Sequence, residues 1–243
     1  MPDDEQEADN EQEASHEQEE VNDEQEVSHH MTLSAYHHVE GFLPAADVAF
    51  YRRLVEGHAG LLTEIHGRGG LGPRYRVIDG DQIHAQLPAI EVLGRERVRP
   101  LVEHFAGEPL GAFASPRRAQ RVQIYSRPDQ GFRWHRDGHP YVALVTVENG
   151  NAGQTQFISP ALSRFLRYLI YPLYPLPQLF SLLPRTAVIC GAGDLLVMRG
   201  RLAIHRGVTL AASGRRILFV YAFDRADHRP SPLRDLIARK LNY

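Results

Sequence analysis

Two histidines and an aspartate carry the most informative spacing in this chain: His135-Arg136-Asp137, with His205 far downstream in Ala203-Ile204-His205-Arg206-Gly207. In an extended strand, residues two apart point to the same side, so His135 and Asp137 offer an imidazole and a carboxylate to one point. A third donor must come from a distant strand, and His205 is well placed to supply it. Two nitrogens and one oxygen on one face of an octahedron leave three positions open, the geometry used for iron(II) oxygen chemistry. A His-x-Asp tripeptide by itself is common by chance. What adds weight is the pair Arg215 and Arg216, which follows the Ser213-Gly214 turn and opens the apolar run Ile217–Phe223. An arginine there can reach back beside His205 and grip a carboxylate through two parallel hydrogen bonds. Metal ligands and a carboxylate clamp together describe a site for a 2-oxo acid chelating iron. Arg215 is favoured because it lies nearest the turn. Alternation groups it with Ile217, Phe219 and Tyr221, and groups Arg216 with Leu218, Val220 and Ala222. Both sets are apolar, so alternation does not choose between them.

These residues need strands to hold them. From Ala119 onward the apolar pattern shortens into strand-like runs at Arg121–Ser126, Tyr141–Val147, Gln154–Ile158, Thr186–Cys190, Leu195–Arg199 and Arg216–Phe223. Asn149-Gly150, Gly191-Ala192-Gly193-Asp194 and Ser213-Gly214 separate them as turns. Before that point the spacing is helical: Pro44 opens a helix carrying Val48, Tyr51, Leu54 and Val55, and a second helix is predicted from about Gly94 to Phe105. Between them a glycine-rich loop at 67–73 precedes an extended segment at Arg74–Ile78. Helices first and short strands later predict a mainly β domain with supporting α-helices.

The combined motifs resemble the iron(II)/2-oxoglutarate-dependent dioxygenase superfamily, in particular its prolyl-hydroxylase-like branch. The resemblance rests on Tyr125, Gly131, Phe132 and His135-Arg136-Asp137, then Gly153-Gln154-Thr155-Gln156-Phe157. The glycine-Asp hairpin Gly191–Leu196, His205 and the basic residue opening the last strand complete it. It covers about residues 119–224 and implies a double-stranded β-helix (jelly-roll) core, braced by helices at about 36–105. It further implies that His135, Asp137 and His205 bind iron, that Arg215 or Arg216 pairs with the distal carboxylate of 2-oxoglutarate, and that Tyr125 and Thr155 contribute to the same cosubstrate site. Fe(II), 2-oxoglutarate and O₂ would be the reactants, with succinate and CO₂ as co-products and ascorbate as a candidate auxiliary reductant. Radical halogenases of the superfamily replace the carboxylate ligand by a small residue. Asp137 is present, so hydroxylation or a related oxidation is expected.

The remaining features have plainer readings. His139 stands between a glycine and a proline and suits a turn or a supporting role. Phe132 and Trp134 read as packing residues. Arg199 could face the pocket or point away from it. The segment 160–184 carries an apolar helical stripe (Leu162, Phe165, Leu166, Leu169, Ile170, Leu173) broken by Pro172, Pro175 and Pro177. It reads as a lid over the active-site mouth, an extra core helix or a homodimer contact, with Tyr168, Tyr171 and Tyr174 adding amphipathic bulk.

Thirteen of the 30 acidic residues fall within residues 1–30, which contain no Lys or Arg, so the remaining body holds 17 acids against 27 bases. The tail, with almost no apolar residues, is expected to be disordered, and residues 31–243 to form one domain. The single cysteine, Cys190, excludes an intramolecular disulfide and a multi-cysteine zinc site. No apolar run reaches the roughly 18 residues of a membrane span and no signal pattern opens the chain, so a cytoplasmic protein is expected. A small molecule is the favoured substrate. A prolyl-type protein hydroxylase and a non-catalytic cupin-like metal-binding protein are the alternatives. Nucleic acid ranks low, because Arg215–Phe223 lacks the further arginine and asparagine expected of demethylases.

Overall fold

The computed structural model describes residues 35–66, 74–111, 119–127, 130–150, 153–166, 177–208 and 214–226. The acidic tail, the loop at 67–73 and the middle of the apolar insert, with Tyr168, Tyr171 and Tyr174, lie outside the described residues. Eleven strands are described: β1 (Tyr36–Val39), β2 (Thr63–His66), β3 (Arg74–Ile78), β4 (Leu110–Gly111), β5 (Gln120–Tyr125), β6 (Tyr141–Asn149), β7 (Gln154–Ile158), β8 (Arg185–Ile189), β9 (Leu195–Met198), β10 (His205–Gly207) and β11 (Arg216–Arg225). Eight of them form the major sheet, in the order β1-β9-β6-β11-β5-β3-β2, with β4 on the far end of β11. The minor sheet runs β10-β7-β8, and an antiparallel bridge between His135 and His205 adds the segment around His135 to its edge. The two sheets face each other as a double-stranded β-helix.

β11 is the central strand, apolar on both faces because both are covered. Leu218, Val220 and Ala222 join Val142, Leu196 and Met198 in the core between the sheets. The alternate residues face the helices: Phe219 meets the Tyr51 ring edge-on at 5.5 Å, and the Tyr221 hydroxyl donates to the Ile90 carbonyl at 2.8 Å. This assignment of faces decides which of Arg215 and Arg216 points between the sheets.

The helical layer comprises α1 (Ala45–Gly57), α2 (Gly80–Gln86), α3 (Pro88–Leu93) and α4 (Arg99–Ala106), with a π-helical turn at Gly94–Val98. The helix expected over Gly94–Phe105 therefore starts earlier and is not regular. Asp79 and Gln82 close a capping box at the start of α2. Pro88 starts α3. Pro100, which has no N–H to give, follows the widened turn. Gly94 is required there, since a Cβ on it would lie 2.4 Å from the Tyr221 ring.

The N-terminal third also adds three strands to the major sheet, which helical spacing did not anticipate beyond Arg74–Ile78. β1 and β2 have four residues each, too short for a period to register. Their extension comes from partners, Tyr36 opposite Met198 and Thr63 opposite Val77. The described ends of the apolar insert, α5 (Pro160–Leu166) and α6 (Pro177–Phe180), pack on the outside of the minor sheet. There Leu162, Leu166, Phe180 and Leu183 meet Trp134, Ile158 and Ile204 in a second core. Where it is described, most of the stripe assigned to a lid or a homodimer contact is covered by the chain's own residues, though Phe165 stays 75% exposed. No helix among the described residues is long and apolar enough to cross a membrane.

Candidate metal centre

The chain leaves β5 at Tyr125 and returns antiparallel to β10. Phe132 N–H donates to the Gly207 carbonyl at 3.2 Å, and His135 and His205 exchange backbone hydrogen bonds of 2.9 and 3.0 Å. That pairing sets the two imidazoles side by side, ring centroids 4.3 Å apart. Asp137, two residues on, is held by its own N–H on the Gly200 carbonyl at 3.0 Å. Its carboxylate lies 3.6 Å from His135 Nε2 through one oxygen and 3.4 Å from His205 Nε2 through the other. All three donor atoms fall within 4.8 Å of one another.

Orientation comes from the backbone. His135 Nδ1 lies 2.7 Å from the Arg133 carbonyl and His205 Nδ1 lies 3.1 Å from the Ala203 carbonyl. A carbonyl only accepts, so each Nδ1 carries the hydrogen and each Nε2 presents a lone pair inward. Burial by itself would raise the Asp137 carboxyl, yet His205 and His135 beside it hold it well below the ordinary carboxylate range. Burial and the neighbouring His135 push His205 down to about 4. At neutral pH both groups are already in the form a metal needs. Asp137 Oδ2 is buried with no hydrogen-bond partner. Two imidazole nitrogens and one such carboxylate fit a divalent iron ion held by one face.

The two candidate arginines lie on opposite sides of β11. Arg215 faces the helical layer: its Nε lies 3.0 Å from both Glu148 oxygens, and its Nη2 lies 2.5 Å from Glu148 Oε2 and from Glu56 Oε1 of α1. The guanidinium that the sequence favoured as the carboxylate clamp is thus engaged by two acids on the helical side of the sheet. Arg216 turns into the core and is 3% exposed. Its Nη2 donates to Thr155 Oγ1 at 3.3 Å, and its buried Nε has no partner. Tyr125 stands opposite Arg216 on β5, and its hydroxyl donates to Gln123 Oε1 at 2.8 Å. Neither neighbour offers a counter-charge: burial raises the Tyr125 hydroxyl far above its ordinary value and pushes the Cys190 thiol up to about 11. Among the described residues no carboxylate pairs with Arg216, so a buried guanidinium faces the interior without an anion.

No family model matches the sequence, and no curated protein matches it either. Solved structures do. The non-heme alpha-ketoglutarate-dependent epimerase SnoN from nogalamycin biosynthesis superposes with a TM-score of 0.63 at 18% identity, over 87% of this chain and 87% of that one. HygX from Streptomyces hygroscopicus, solved with nickel and 2-oxoglutarate bound, gives 0.61 at 15% identity over 82% and 86%. A Pseudomonas putida prolyl-4-hydroxylase gives 0.52 at 15% identity over 82% and 97%. The fold is that of the non-heme 2-oxoglutarate enzymes.

Within this double-stranded β-helix, one supporting residue escaped the sequence reading. A Cβ on Gly200 would lie 2.7 Å from the His139 carbonyl oxygen and 2.8 Å from Asp137 Cβ. Only glycine lets the β9–β10 connection approach the Asp137 carboxylate so closely. Its sole signal in the sequence is a glycine ending an apolar run. Gly200→Ala is expected to displace Asp137 and weaken metal binding by about 10- to 100-fold, the range for supporting contacts around metal ligands. Anaerobic Ni(II) or Fe(II) titration measures it, and an unchanged affinity would contradict the role.

Other residues of the sheets and their connections have structural partners. His38 bonds Asp194 at 3.0 Å, and Asp194 also accepts from the Gly41 and Gly191 N–H groups in the glycine-Asp hairpin. Arg199 faces the helical layer, stacked over Phe105 and Tyr141. Trp134 lies on the outer side of the minor sheet, beneath the Arg206 guanidinium at 4.7 Å. Phe132 packs 4.8 Å from the His135 ring.

His139 is half-buried, and burial depresses it to about 4, against the opposing pull of Asp137 and Asp224. His205 and His139 therefore stay neutral in the folded chain while unfolded histidines protonate near 6.5. The unfolded state binds more protons between those values, so the metal-free protein should lose stability as pH falls from about 6.5 towards 4. Thermal unfolding of metal-free protein at pH 7 and pH 5 tests this. A midpoint that does not fall would contradict it.

Proposed function

We propose that this chain is an Fe(II)- and 2-oxoglutarate-dependent oxygenase that oxidises a small molecule. The observation that carries the proposal is Arg216, a buried guanidinium without an anionic partner among the described residues, in the same between-sheet interior as His135, Asp137 and His205. Isolated buried charges are too costly to keep without a partner, and the carboxylate of a 2-oxo acid supplies one. His135, Asp137 and His205 hold the metal by one face and leave the other face to ligands. Arg216 and Thr155 take the distal carboxylate of the cosubstrate, and the Tyr125 hydroxyl turns from Gln123 to join them. Bound iron with 2-oxoglutarate and O₂ supplies the oxidising power, releasing succinate and CO₂. Phe157, 5.8 Å from the His205 ring and stacked on Tyr36 at 4.4 Å, walls the metal side with apolar surface and excludes water. The likeness to SnoN, an epimerase from nogalamycin biosynthesis, supports a small substrate over a protein one.

The test is anaerobic absorbance. A weak visible charge-transfer band that appears only after both Fe(II) and 2-oxoglutarate are added supports the reading. Folded, iron-loaded protein that shows no band on adding 2-oxoglutarate would overturn it.

A further inference from the structure

Asp137 stands where regular strand pairing has run out. The segment before it meets β10 through Phe132 on Gly207 and through the His135–His205 bridge, and Asp137 lies two residues beyond that bridge. Its position therefore depends on contacts outside the ladder. The first is its own N–H on the Gly200 carbonyl at 3.0 Å. Gly200 belongs to a short turn, Arg199 to Ala203, in which the Leu202 and Ala203 N–H groups donate to the Arg199 carbonyl at 2.9 and 2.8 Å. The Ala203 carbonyl of the same turn orients His205 through Nδ1. One turn thus refers the carboxylate and the distal imidazole to each other.

Two arginines fasten that turn to the His-x-Asp segment from opposite sides. Arg136 lies between His135 and Asp137, so alternation points its side chain away from the metal. Its Nε donates to the Arg201 carbonyl at 2.8 Å. Arg201, next to Gly200, reaches back the other way, and its Nε donates to the Gly138 carbonyl at 3.0 Å. Arg201 Nη2 also lies 3.5 Å from Asp224 Oδ1 near the end of β11. The Asp137–Gly200 bond sits between the two arginine contacts. Hydrogen bonds from an ionised donor are roughly twice as strong as neutral ones, and here both acceptors are backbone, so they fix the chain itself.

We propose, resting on the oxygenase reading, that Arg136 and Arg201 form a reciprocal clasp that positions Asp137 against His205. Neither is a ligand; both are positioning residues that act through the backbone of their neighbours. The His135–His205 bridge sets the two imidazoles side by side. The clasp sets the carboxylate against them.

The probe is Co(II), whose visible absorption reports coordination geometry without turnover. Metal-free wild type, Arg136→Met, Arg201→Met, the double variant, Arg136→Lys and Arg215→Gln are each titrated, with thermal unfolding as the check on folding. Each methionine variant is expected to bind Co(II) about 10- to 100-fold more weakly and with a shifted band, the range for supporting contacts around metal ligands. The double variant should lose less than the product of the single losses, because both bonds hold one junction. Arg136→Lys, which keeps a charged donor, should recover part of the affinity. Arg215→Gln loses ion pairs on the helical side of the sheet and shows what a merely structural change does: a lower unfolding midpoint with wild-type affinity and band. Should Arg201→Met not fold, because Arg201 also holds Asp224, Arg136→Met against Arg136→Lys decides. Folded methionine variants with wild-type affinity and band overturn the proposal. So do an affinity loss with an unshifted band and no recovery in Arg136→Lys, and single losses that simply multiply. Folded wild type that takes up no Co(II) is a different failure, because it removes the metal centre and with it the oxygenase reading.

Discussion

Arg216→Gln should lose 2-oxoglutarate binding almost entirely, while Arg215→Gln should keep it. The two residues are neighbours in sequence and both open β11, but their surroundings differ in kind. Arg216 is 3% exposed, bonded to Thr155 and without a carboxylate among the described residues. Removing one partner of a buried charged pair costs roughly 2–5 kcal/mol, which at about 1.4 kcal/mol per tenfold is a loss of about 30- to 3,000-fold in affinity. Pyruvate, which has no distal carboxylate, should bind the Arg216→Gln protein about as well as wild type. Arg215 ties β11 to Glu148 of β6 and Glu56 of α1, so its loss should show as a modest drop in thermal stability with unchanged 2-oxoglutarate affinity. Titration of the iron-loaded proteins separates the two outcomes. Equal losses in both variants, or a loss only in Arg215→Gln, would return the clamp to Arg215.

The second large effect belongs to Asp137. Its carboxylate stands between His135 and His205, and one oxygen is buried without a hydrogen-bond donor. Asp137→Ala should therefore reduce Fe(II) affinity by more than about 100-fold, above the range seen when only a supporting contact is lost. Asp137→Asn keeps the shape and removes the charge, so it should also fall, which separates ligation from packing. Isothermal titration under anaerobic conditions is the measurement. Retained tight binding in Asp137→Ala would mean that the metal, if one binds, sits elsewhere.

Much of this arrangement was legible because it is written locally. Short strand-like runs, whose side chains alternate with a period of two, mark β3, β5, β6, β7, β9 and β11, and β3 and β7 were delimited to the residue. The same period explains why His135 and Asp137 present their side chains to one point. His205 was legible by its distance from the His-x-Asp segment and by the arginines that follow. The strands that were missed are those whose extension is imposed by partners. β1, with Tyr36-His37-His38-Val39, holds four residues against β9, and β10 holds three, pinned between β7 and the His135 segment. Runs that short contain less than the pattern needed to reveal them.

What the sequence by itself determined is the set of groups: two imidazoles, one carboxylate, two adjacent arginines, and strands able to hold them. The tertiary structure decided which arginine turns into the core between the sheets, that Gly200 leaves room for Asp137, and that the described ends of the insert cover the outside of the minor sheet. The reason is physical and simple. Alternation specifies that Arg215 and Arg216 point in opposite directions, but β11 is covered on both sides, so its pattern contains no polar face to tell inside from outside. Only the packing of α1 and α3 against Phe219 and Tyr221 places the helices on one side, and with them Arg215, leaving Arg216 to face the core between the sheets.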